Sequence, residues 1–120
     1  RYIKNGSDKR ILIRSLSSYI FNFITRTILG SKIKDYTSGI FLMKRSVLKE
    51  VSIMPYGHGE FFIEFLENAN RKGFLIKEIP FIQKKDVNLT ESKTSGNLFK
   101  FFYLGFIYFL RVIIIKLRRN

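Results

Sequence analysis

Three groups of residues in this 120-residue chain could do chemistry on an anion. The first is Asp35-Tyr36-Thr37-Ser38-Gly39, a polar turn that runs at once into the apolar Ile40-Phe41-Leu42-Met43. Asp and Ser side chains hydrogen-bond nearby backbone N–H groups in a turn, and glycine permits backbone angles and close approaches that a side chain forbids. An acid, a hydroxyl and a glycine at the mouth of a sheet suit a ligand site, and they equally suit any tight turn. The second group is Arg14, Ser18 and Asn22, spaced four apart and so in one stripe of a helix. Such a stripe is either a solvated face or a phosphate grip, because a guanidinium and a hydroxyl one turn apart can hold one phosphoryl group. The third is the polar segment 84–96, in which Lys84, Lys85 and Lys93 make either a solvated connection or a lid over a diphosphate.

Composition narrows the chemistry. With no cysteine, the chain has no disulfide, no Cys-zinc site and no thiol nucleophile, and a cytosolic setting fits. Its one histidine, His58, has no second ligand type beside it in sequence and reads as a loop residue. A net charge of +13 calls for an anionic partner: nucleic acid, a phosphorylated substrate or an acidic membrane. Thirteen Phe and six Tyr beside that charge favour a membrane surface, and their buried helical spacings argue against nucleic acid. The opening Arg1-Tyr2-Ile3, without an initiator methionine, reads as the middle of a longer chain. Residues 1–10 are polar and basic, unlike a secretion signal.

The elements that must position these groups follow from periodicity. A turn at residues 5–8 supplies a helix cap at Ser7 or Asp8. A helix over 9–29 ends at Gly30, with Leu12, Leu16, Tyr19 and Phe23 on its apolar, core-seeking face. The run 39–44 reads as a buried strand and 45–51 as a short helix. A helix over 60–72 stops at Gly73 and buries Phe61, Phe65 and Ala69, with Glu64 beside that stripe as either a buried or a solvated carboxylate. A strand follows over 74–82, where Pro80 marks a sheet edge or a strand end. In the tail the uncharged run 101–110 is too short to cross ~30 Å of hydrocarbon, which takes about 20 residues. Lys100, Arg111 and Arg118 fall on nearly one line of a helix, leaving a broad aromatic and aliphatic face. That pattern fits a helix lying in a membrane interface, and also a core helix of a larger protein.

Taken in order, these pieces resemble the C-terminal half of the polyprenyl-phosphate (dolichol-phosphate) mannosyl- and glucosyltransferases of glycosyltransferase family 2. The resemblance rests on Arg1-Tyr2-Ile3-Lys4-Asn5-Gly6, on Arg14 with Ser18 and Asn22, and on Asp35-Tyr36-Thr37-Ser38-Gly39. It extends through residues 61–64, Glu78-Ile79-Pro80 and Glu91-Ser92-Lys93. Family members read similarly as R-Y-V-x-G-G, R-x-x-x-S-x-x-x-N, D-x-T-S-G-F, E-V-P and G-E-S-K. Two departures stand out. The segment 84–90 lacks the arginine and glycine that the family places before E-S-K, and Tyr19-Ile20 replaces its Gly-Ala.

The resemblance implies an α/β fold, the acceptor-side half of a GT-A (Rossmann-like) domain over residues 1–96, followed by an amphipathic membrane-interfacial helix over 97–120. It implies transfer of a hexose from a nucleotide sugar to a polyprenyl phosphate at the cytoplasmic face of a membrane. By the match, Arg1, Arg14 and Ser18 grip the acceptor phosphate. Asp35 orients the acceptor or cationic groups, or acts as a base, and Lys93 covers the phosphates with Lys84 and Lys85 nearby. The divalent metal of such enzymes, Mg or Mn, is held by a D-x-D motif that this chain lacks, so no metal ligand is expected here and the isolated chain is expected to be inactive. A non-catalytic basic module binding anionic membrane, or a transferase with a glycan acceptor, stands as the alternative.

Overall fold

The structure is a computed structural model that describes residues 1–54, 57–85 and 98–118. Helix α1 covers Leu12–Leu29 and closes on Gly30 in the left-handed region, φ 65°, with its N–H bonded to the Arg26 carbonyl. The glycine stop is as the sequence predicts, and the start lies three residues later than the expected 9. Ser7 and Asp8, expected as caps, instead form β1 (Ser7–Asp8), because their backbone finds a partner in β2 (Ile82–Gln83). The two strands run parallel, with Ser7 opposite Ile82 and Asp8 opposite Gln83. The ladder continues past them, Lys9 N–H donating to the Gln83 carbonyl at 2.8 Å. The turn before β1 needs Gly6: a Cβ there would stand 2.7 Å from the Arg1 carbonyl oxygen.

Helix α2 (Glu60–Arg71) and helix α3 (Leu98–Leu117) match the expected spans closely. The segment 45–51 forms a 3₁₀ helix at Arg45–Lys49 rather than an α-helix. Two strand expectations fail. Residues 39–44 pair with nothing among the described residues and leave Ile40 and Leu42 exposed; of 74–82 only Ile82 enters a ladder, while Leu75 and Ile79 face outward. A β-branched, apolar run becomes a strand only where a neighbouring backbone supplies the ladder.

The core gathers Leu29, Tyr36, Val51, Phe62, Ile63 and Val112 between the three helices. On α1 the expected faces are exchanged. Arg14, Asn22 and Thr25 point inward, whereas Leu12, Leu16, Tyr19 and Phe23 face outward. Helix α3 packs against both other helices. Tyr108 meets Phe21 edge-on at 6.0 Å and donates its hydroxyl to the His58 carbonyl at 2.8 Å, which is the one role His58 has beyond its exposed loop. Arg118 and Arg111 reach Glu64 of α2 at 3.0 and 3.6 Å. The basic line expected to face lipid headgroups is therefore turned inward in part, onto a half-buried carboxylate.

Candidate functional site

The inward stripe of α1 faces the turn at 35–37, and a hydrogen-bond network joins the two. Asn22 is the link. Its Oδ1 accepts the Tyr36 N–H at 2.6 Å, and its Nδ2 donates to the Thr37 hydroxyl and to the Ser18 carbonyl, both at 2.8 Å. Ser18 Oγ lies 3.1 Å from the same Thr37 hydroxyl. Buried backbone N–H groups need partners. A polar stripe is thus the only kind of helix face that could hold this turn, and that is why the polar side of α1 points inward.

Asp35 is the centre of the turn. Its Oδ1 accepts the Thr37 N–H at 3.0 Å, the local bond that shapes an Asx turn. Across the network, Arg1 Nε and Nη2 each donate to Asp35 at 2.8 Å, one to each oxygen, and Nη2 also donates to Thr37 Oγ1 at 2.7 Å. This is the parallel two-bond geometry in which guanidinium and carboxylate match best. The side chains are 2% and 7% exposed. Burial alone would push the Asp35 carboxyl up, but hydrogen bonds and charge from Arg1, with the Thr37 N–H, hold it below the usual carboxylate range. Asp35 therefore carries a fixed negative charge with both oxygens engaged.

Beneath the turn, Glu78 fastens its backbone: the carboxylate accepts the Asp35 N–H at 2.9 Å and the Lys34 N–H at 3.1 Å. On the other side, Asp8 at the end of β1 stands 3.6 Å from Arg1 Nη1 and forms a two-bond pair with Arg10 at 2.6 and 2.9 Å. Burial raises the Asp8 carboxyl, and the Arg10 hydrogen bonds more than reverse it. Tyr2 hydroxyl donates to the same carboxylate at 3.4 Å. Since β1 and β2 are parallel, their C-terminal ends deliver Lys9-Arg10 and Lys84-Lys85 to one edge, with Lys9, Lys84 and Lys85 exposed. The C-terminal ends of parallel strands are where α/β proteins bind ligands.

Of the residues singled out from sequence, Arg1, Asp35 and Ser18 meet in this network and Arg14 lies buried on the same stripe. Lys84 and Lys85 stand at the strand edge, and Lys93 lies outside the described residues. Arg1 was expected to hold a phosphate, but here its guanidinium faces two carboxylates. Asp8, Arg10 and Glu78 were not expected in the site. Asp8 had been read as a cap, while Glu78, which precedes Pro80 near a strand end, carried the one sequence signal available.

The carboxylates present do not suit a divalent cation. Asp8 and Asp35 are both ion-paired with arginine, and no group of three His, Cys, Asp or Glu side chains converges among the described residues. A cleft of about 610 Å³, lined in part by Glu50, Met54, Phe61, Glu64 and Arg71, shares no residue with this network. No helix among the described residues is long and apolar enough to cross a membrane. No protein-family model matches the chain, and no solved structure matches it.

Proposed function

We propose that this chain is the acceptor side of a family 2 glycosyltransferase of GT-A fold that passes a hexose from a nucleotide sugar to a polyprenyl phosphate at a membrane surface. What supports it most is one juxtaposition: the Asp35 turn, locked by Arg1, Asn22 and Glu78, stands beside the cationic edge formed by Lys9, Arg10, Lys84 and Lys85. An acceptor phosphate is already ionised at neutral pH and needs little base catalysis. Rate then comes from positioning it and from neutralising two crowded anions, the donor diphosphate and the acceptor phosphate. Lys84, Lys85 and Lys93 supply neutralising charge, and Arg14 and Ser18 lie on the helix stripe that borders the turn. In this proposal Arg1 acts through Asp35 as a positioning residue. With both oxygens held by Arg1, Asp35 orients the cationic groups rather than taking a proton. The donor nucleotide and the Mg or Mn of such enzymes would be held by residues outside this chain.

A non-catalytic lipid binder is the competing assignment, favoured by the same engagement of both Asp35 oxygens. The full-length protein, supplied with nucleotide sugars, Mg²⁺ or Mn²⁺ and polyprenyl phosphate, separates the two. The expected product is a lipid-linked sugar. Arg14→Ala should lower its rate roughly tenfold to a hundredfold, the worth of one charge-assisted phosphate contact, and Arg26→Ala far less. Failure to form any lipid-linked sugar, with binding to anionic vesicles retained, decides for the lipid binder.

A further inference from the structure

We infer that α1 and α3 together form a platform that lies on an anionic phospholipid bilayer, with α1 as a lipid-facing helix and not a core element. The inference holds whether or not the chain takes part in sugar transfer.

Its basis is the exchanged polarity of α1. A soluble helix buries its apolar stripe and shows its polar one to water. Here Asn22 and Thr25 are 1% and 0% exposed, whereas Leu12 is 80% exposed and Leu16 and Phe23 about half. Helix α3, packed against α1, also turns an apolar face outward, with Phe99 83% exposed and Phe102, Tyr103 and Phe106 each about 60%. Exposed apolar surface on this scale marks an interaction site.

Charge selects the occupant. Neither helix contains an Asp or Glu. Elsewhere Asp8, Asp35 and Glu64 are ion-paired, Glu60 and Glu78 accept backbone N–H groups, and Glu67 is buried. Among the described residues Glu50 is the one exposed carboxylate. Lysines stand exposed at the ends of the two helices: Lys9 before α1, Lys32 and Lys34 after it, and Lys100 in the first turn of α3. An apolar face flanked by cations and free of acids suits acyl chains beneath anionic headgroups, and each basic residue there adds about 1 kcal/mol. Neither helix is long and apolar enough to cross the bilayer, so both lie along it.

The chain contains no tryptophan, so single Trp substitutions report depth without background. Leu16→Trp in α1, Phe106→Trp in α3 and Leu75→Trp, exposed but on neither helix, would each be mixed with phosphatidylcholine–phosphatidylglycerol vesicles carrying brominated acyl chains. Quenching is expected at positions 16 and 106 and not at 75. In the unlabelled chain, Leu16→Asp should weaken partitioning roughly tenfold while circular dichroism stays unchanged. Quenching at 106 alone would leave α3 as the only lipid contact and overturn the inference. Equal quenching at 75 would mean indiscriminate adhesion and overturn it too. Absence of quenching at 16, with self-association in sedimentation that Leu16→Asp abolishes, would assign the face to a second copy of the chain.

Discussion

Removing the Asp35 carboxylate should cost the protein far more stability than a turn residue ordinarily carries. In Asp35→Leu the Arg1 guanidinium loses two hydrogen bonds of 2.8 Å and stays where its side chain is 2% exposed, with Thr37 Oγ1 and the more distant Asp8 as partners. Breaking a buried ion pair by deleting one member costs about 3–5 kcal/mol, mainly through the charge left behind. The Thr37 N–H loses its acceptor as well. Arg1→Met leaves the opposite charge stranded and should cost a similar amount. The double variant removes both charges, so its loss should fall short of the summed singles by at least ~2 kcal/mol. Guanidinium chloride unfolding of the 120-residue chain, followed by circular dichroism, reads all four corners of this cycle. Additivity to within about 0.5 kcal/mol would refute the pair as the element that locks the turn.

Two further outcomes test the same framework. Asn22→Ala orphans the buried Tyr36 N–H and should cost about 2 kcal/mol, whereas Leu16→Ala, on the exposed side of α1, should stay within ~0.5 kcal/mol; thermal unfolding that ranks them the other way would place the core on the wrong side of the helix. Asp8 and Asp35 both titrate below the ordinary carboxylate range when folded. Their stabilisation is therefore complete above about pH 4, the unfolded value, and is lost as pH falls through the depressed folded values; acid unfolding that is unchanged in the Arg1→Met/Asp35→Leu variant would contradict it.

The sequence made the helices legible and the side they present illegible. Gly30 and Gly73 mark the ends of α1 and α2 because a left-handed residue ends a helix wherever it occurs. The stripe Arg14, Ser18, Asn22 was equally visible, but the inference that an apolar stripe points inward assumes water on the other side. Here the inward side must satisfy the backbone of a polar turn, and Asn22 does so. The run 40–43 has strand-like composition, yet pairing depends on a second backbone that composition cannot supply. The Asp35 turn could be read locally, since its bond to the Thr37 N–H spans two residues. Its partners could not, because Arg1 and Glu78 lie 34 and 43 residues away.

Those separations have a consequence for how the protein acquires its shape. The helices α1 and α2 rest on bonds four residues long and can form as soon as they leave the ribosome. The Asp35 turn cannot reach its final state until Glu78 has been made, and the β1–β2 ladder waits for Gln83. Closing such long loops precedes any gain from the contacts they bring, so this region belongs to the slow, late part of folding. During that interval Arg1 and Asp35 are charged, solvated and unattached. A chain halted near residue 75 would hold α1 and α2 without the clasp that orders the turn between them, and its outward apolar stripe would be left to chaperones or lipid.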